Sequence, residues 1–187
     1  LYNSISKGSA YYIDTVRTDV GTIQPPEMTV KLTMKSEVQA QQTMPLFIKS
    51  GAQVGRDGAH LTVTGNLIQV LSHCLDDAQA MYNNDGVAVS AKYGYAEKAV
   101  LYNWWSALKA MDFDLKRQKK FNAARIAEMV NKKAVETAYN YYGIEGQKIS
   151  ERFGVVLFSL IFYVVYTLWY GFGIMYLFEG SGLQLEH

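Results

Sequence analysis

Apolar and polar residues alternate over residues 28–34, where Met28, Val30, Leu32 and Met34 interleave with Thr29, Lys31 and Thr33. A period of two predicts a strand with one face buried. Pro25 and Pro26 set its start, because proline cannot donate to a ladder. The runs MPLFI (residues 44–48) and HLTVT (residues 60–64) predict a second β region. Between them the turn-rich stretch KSGAQVGRDG reads as a long hairpin loop or a surface loop. After Asn66 the period lengthens: Leu67, Val70, Leu71, Cys74, Leu75, Ala78 and Met81 share one helical face, which Asn84, Asp85 and Gly86 end.

Residues 95–142 contain neither glycine nor proline, so a helix of up to roughly 70 Å is permitted there. Leu101, Trp104, Leu108, Met111 and Leu115 are spaced alternately by three and four, the seam of a short coiled coil or a helical hairpin. Ile126, Val130, Ala134, Thr137 and Tyr141 continue with a smaller, more polar face. A turn near residues 112–114 fits, since Asp112 or Asp114 can cap a following helix. A single stalk and a two-helix hairpin both satisfy this pattern, and Gly143 and Gly146 mark a joint after it.

The pattern then loses its polar positions. Residues 153–178 carry no charge over 26 positions, about 39 Å of helix against the roughly 30 Å hydrocarbon core of a bilayer. A transmembrane helix is the expectation. Within it Ser159, Tyr163, Tyr166, Thr167 and Tyr170 recur at helical spacing, a hydroxyl stripe suited to packing on another transmembrane helix. Trp169, Tyr170 and Tyr176 also suit an interfacial belt. Lys132, Lys133, Lys148 and Arg152 precede the span and Glu179 follows it. The positive-inside rule then places the N-terminal part in the cytoplasm and a short C-terminal tail on the opposite side.

The expected class is α+β. Residues 1–94 form a small β-containing part with one helix, residues 95–146 a stalk or hairpin, and residues 147–184 the anchor. Leu185, Glu186 and His187 look like a vector-derived tail and the first histidine of a purification tag.

Composition adds limits rather than an activity. The single cysteine, Cys74, excludes an internal disulfide framework. His73 adjoins it, but neighbours on a helix point about 100° apart, and no further Cys or His completes a zinc set. No metal or cofactor is expected. Gly51, Gly55 and Gly58 lack the spacing and the Lys-Ser/Thr ending of a phosphate loop. Lys116, Arg117, Lys119, Lys120 and Arg125 form the strongest basic cluster, read as a solvated helical face or as contacts to anionic lipid headgroups aided by Trp104 and Trp105. A net charge of +1 and the lack of a recognised motif argue against nucleic acid.

The expected function is a membrane-anchored, non-catalytic interaction or assembly subunit of a multicomponent membrane complex, such as a bacterial inner-membrane secretion or transfer apparatus. Its partners would be the bilayer and other proteins, or copies of itself, engaged through the transmembrane and stalk helices. Two alternatives stand beside it. One is a membrane-bound enzyme or cofactor-carrying subunit drawing on Asp57, His60, His73, Asp76 and Asp77. The other is a self-associating channel-forming or exclusion-type membrane factor, although the span has no ionisable group suited to an ion path at neutral pH.

Overall fold

The computed structural model describes residues 2–145 and 153–182. The expectations placed on Gly146, Lys148, Arg152 and residues 183–187 lie outside them. The chain runs α1 (Tyr2–Ser9), α2 (Ile13–Val20), β1 (Glu27–Thr33), α3 (Glu37–Lys49), β2 (Gln53–Asp57), β3 (His60–Asn66), α4 (Leu67–Tyr82), α5 (Gly86–Tyr93), α6 (Glu97–Arg117), α7 (Phe121–Val130), a π-helical turn (Asn131–Val135), α8 (Glu136–Tyr141) and α9 (Phe153–Gly180). The α+β class is correct, with helix dominating.

The sheet is antiparallel in the order β1-β3-β2. Val30 pairs with Val63, which pairs in turn with Val54. Met28, Val30 and Leu32 of β1 and Leu61 and Val63 of β3 face inward, as the alternation requires. Gly65 sits where an added Cβ would lie 3.0 Å from the Ala52 Cβ, so a side chain there would require Ala52 to shift by a few tenths of an ångström.

Two β expectations fail. Residues 44–48 are the last turns of α3, and the third strand instead lies inside the stretch read as a loop. Ser36 starts α3 by accepting a hydrogen bond from the Gln39 backbone N–H, the N-cap that holds an entry turn. Thr43, Leu46 and Phe47 then fall on one buried face. Phe47 meets Trp104 edge-on at 5.6 Å between ring centroids.

The glycine- and proline-free region is a hairpin, not one stalk. Its turn is later than residues 112–114: α6 continues to Arg117, and Lys119 reverses the chain in the left-handed region at φ 62°. The five seam residues Leu101, Trp104, Leu108, Met111 and Leu115 are fully buried in the core of the same chain. As a surface for a partner the seam is therefore already occupied.

The hairpin also closes a sheet edge. An edge strand exposes unpaired backbone groups, and on β1 three of these meet the end of α6 and the turn. Asp114 accepts from the Lys31 N–H at 3.0 Å, Gln118 Nε2 donates to the Thr29 carbonyl at 2.8 Å, and Lys120 Nζ donates to the Glu27 carbonyl at 3.3 Å.

At the other end of the domain α1 is fastened over the end of α8. Lys7 Nζ donates to the carbonyls of Ile144 (2.6 Å) and Tyr141 (3.2 Å) and to Asn84 Oδ1 (3.4 Å). Asn84 Oδ1 also accepts from the Gly143 N–H, and its Nδ2 donates to the Ile144 carbonyl. The Tyr82 hydroxyl donates to the Lys7 carbonyl. Burial pushes the Lys7 ammonium below its usual range.

Helix α9 is 28 residues long and apolar enough to cross a membrane, and its most apolar stretch packs against nothing else among the described residues.

Candidate functional site

Of the residues named for an enzyme, His73 and Asp77 come together in a buried cluster, and Asp57 and His60 are paired on the sheet. Asp77, expected to be solvated, is 2% exposed. It accepts from Lys92 Nζ at 2.7 Å, the Tyr93 hydroxyl at 2.5 Å and Trp104 Nε1 at 2.8 Å. Because the Tyr93 proton goes to Asp77, His73 Nε2, 3.0 Å from the Tyr93 oxygen, must donate to it, which sets the tautomer. Burial, reinforced by Lys92, lowers the His73 pKa, and burial beside Asp77 raises that of Tyr93. Three donors bond the Asp77 carboxylate, so the cluster joins α4, α5 and α6. Cys74 beside it is fully buried, and its thiol is pushed well up by desolvation.

The other three lie on the surface. Asp76 pairs with Arg17 at 2.8 Å on the surface. His60 Nδ1 and the Thr33 hydroxyl lie 3.1 Å apart on the exposed sheet face, where Asp57 is the register partner of His60. No group of three potential metal ligands occurs among the described residues.

The basic cluster is spread over the hairpin turn and partly spent. Lys116 pairs with Asp112 at 2.8 Å and lies 3.6 Å from Glu128; Arg117 pairs with Asp114; Arg125 donates to Asn122; Lys120 holds β1. Trp104 is buried and cannot assist at a lipid surface. Phe113 and Phe121, not singled out from sequence, are 71% and 64% exposed beside the turn. The turn and the exit toward α9 lie at opposite ends of the run α7, π turn and α8.

Along α9 the hydroxyl stripe divides. The Ser159 hydroxyl donates to the Val155 carbonyl at 2.8 Å and that of Thr167 to the Tyr163 carbonyl at 2.7 Å. Neither needs a partner. No hydrogen bond forms at the hydroxyls of Tyr163, Tyr166 and Tyr170 among the described residues. Tyr166 and Tyr170 stack at 6.3 Å. With Trp169, Ile174 and Leu177 they surround a notch of about 360 Å³ floored by Gly173.

Sequence reasoning missed a concave region of the domain around Trp105. The half-buried Trp105 ring borders three clefts. One of about 350 Å³ is mainly apolar, lined by Leu101, Tyr102, Val135, Glu136 and Tyr139. A second of about 360 Å³ opens toward Lys35, Gln39 and Ser106. The third, about 200 Å³, lies between Leu108, Asp112, Glu128 and Asn131.

The π turn shapes this region. Its extra residue breaks the α repeat, so that Glu136 accepts from Trp105 Nε1 at 2.8 Å while Asn131 Nδ2 donates to the Trp105 carbonyl at 3.2 Å. Tyr102 stacks on Trp105 at 5.8 Å, and Lys109 Nζ sits 4.8 Å from the Trp105 centroid. A hydrogen bond from the Lys35 ammonium holds the Tyr102 phenol below its usual pKa. The only advance signal was Trp105 following Trp104: adjacent helical positions cannot both face one core.

Compared with known protein families, curated proteins and solved structures, the chain matches none.

Proposed function

We propose that this chain is a membrane-anchored assembly subunit of a multicomponent membrane complex, with α9 crossing the bilayer and packing there against a helix of a partner protein. The observation that carries the reading is the pair Tyr163 and Tyr166. They lie about 15 and 20 Å along α9, near its middle, too deep for an interfacial belt. Their rings are 66% and 52% exposed, and their hydroxyls have no acceptor within the helix. Hydrocarbon offers none either, whereas a neighbouring helix does. The notch over Gly173 lies farther along the same face and would admit a side chain of that neighbour. Lys132 and Lys133 on the domain side and Glu179 beyond the span favour a cytoplasmic domain.

The test is extraction from native membranes in mild nonionic detergent, followed by size analysis and identification of copurifying proteins. A defined heteromeric assembly is expected. The double variant Tyr163→Phe/Tyr166→Phe should weaken it by about 1 kcal/mol, at roughly 0.6 kcal/mol for each hydroxyl, without releasing the chain from the membrane. A monomer with no copurifying protein would sink the proposal.

A further inference from the structure

We infer that the cavity between Trp105 and Asn131 binds a primary ammonium group carried on a short aliphatic stem. Two buried acceptors border that space with nothing to accept. Asn131 is 7% exposed, and its Oδ1 has no hydrogen-bond partner. Its amide cannot be turned round, since the other atom must donate to the Trp105 carbonyl. Asp112 uses Oδ2 on Lys116 at 2.8 Å, leaving Oδ1 buried and unpaired. Native proteins leave few buried polar atoms in this state, and each calls for a ligand or a solvent molecule.

The chemistry of the missing group follows from its surroundings. Both orphaned atoms are acceptors, so the group must donate. Asp112, Glu128 and Glu136 line the cavity with Lys109 and Lys132, and Lys116 beside it pairs with Asp112 at 2.8 Å and lies 3.6 Å from Glu128. Glu136, bonded to the Trp105 N–H, is the lining carboxylate with no cation within 4 Å among the described residues, and it favours a positively charged donor. The resident cations are engaged elsewhere: Lys132 Nζ lies 2.7 Å from Glu128, and Lys109 Nζ sits over the Trp105 ring. An ammonium has three N–H bonds, enough for Asn131 Oδ1, Asp112 Oδ1 and one further acceptor. Two single acceptors on different helices suit that point charge better than the planar fork of a guanidinium. The indole of Trp105 and the Leu108 side chain supply apolar walls. The larger apolar cleft shares Trp105 and Glu136 with this cavity, giving the stem a place to lie. A free alkylamine and the lysine side chain of another protein present the same group.

The experiment uses the full chain in nonionic maltoside micelles, observed through its three tryptophan indole N–H resonances. Titration with n-butylamine at pH 7 should move the Trp105 signal saturably while that of Trp104, bonded to Asp77, stays in place. 1-Butanol, which has no charge, and tetramethylammonium, which has no N–H, should bind at least about tenfold more weakly, given that a charged hydrogen bond is worth one such factor or more. Asp112→Asn, nearly isosteric and outside the core, should weaken n-butylamine about tenfold with the indole pattern otherwise retained. Asn131→Leu should abolish the response. Tighter binding of Nα-acetyl-lysine methylamide than of n-butylamine would identify a protein lysine as the natural donor, and the reverse order a free amine; either supports the site. No saturable shift, or equal response to n-butylamine and 1-butanol, would mean that solvent alone satisfies the two oxygens and would overturn the inference. This outcome is independent of whether a membrane partner copurifies.

Discussion

Asp77 shows how a single side chain can tie three helices together. A buried carboxylate is expensive unless its lone pairs are taken, and here three donors from α5 and α6 take them. Asp77→Ala should destabilise the domain by about 3 kcal/mol, toward the lower end for a broken buried pair because Lys92 retains partial access to water. Thermal unfolding would register that as a fall on the order of 10 °C, and an unchanged midpoint would refute the role. The helical period already put Asp77 beside the buried face of α4. Its burial was not legible, because the donors lie 15 to 27 residues further on. Lys119 carries the opposite lesson. A left-handed backbone costs a side-chain-bearing residue about 1 kcal/mol or more relative to glycine, so Lys119→Gly should raise stability by about 1 kcal/mol in denaturant titration. A neutral or destabilising result would show that the lysine side chain offsets the strain.

At the scale of elements, β1, β3, α4 and α9 were readable because each has a clean period or an unbroken apolar run. The errors have physical causes. MPLFI is short and apolar, where strand and buried helix cannot be told apart by period, and the decisive signal was the cap at Ser36, eight residues before it. β2 was hidden because QVGRD is an edge strand with only Val54 partly buried, so no alternation marks it. The hairpin turn had no glycine or proline to announce it, and Lys119 adopts the needed conformation under tertiary constraint. The period of the seam was correct, but period alone does not say whether a face packs within its own chain. Leu108→Ala should therefore cost about 2–5 kcal/mol of domain stability, measured by chemical denaturation. Loss of a partner with domain stability intact would show the seam to be an intermolecular surface after all. The Trp105 clefts were illegible from sequence because they require a π turn, two helices and a loop to converge.

Across the molecule, burial gives the domain a definite alkaline response. Folding raises the pKa of Cys74 well above 9.0 and those of Tyr82, Tyr93 and Tyr95 above 10.0, chiefly by desolvation. The native state thus retains protons that the unfolded chain releases, and stability must fall as pH rises through about 9 and beyond. Lys7, lowered by burial, and Tyr102, lowered by its hydrogen bond from Lys35, have the opposite sign over their own titrations, but Tyr11 and Tyr142 are raised as well, so the raised groups outnumber the lowered ones. Unfolding midpoints between pH 7 and 11 should decline steadily above pH 9, and a flat profile would contradict the buried placement of these residues. Finally, the fastening of α1 over Tyr141 and Ile144 lies where the chain leaves the domain toward α9. Among the described residues, a pull along the chain from the side of α9 would meet Ile144 and Tyr141, where Lys7 and Asn84 would divide it among α1, the end of α4 and α8. Such a load would meet several hydrogen bonds in parallel instead of peeling α8 open one turn at a time, with the domain's first helix bracing its last.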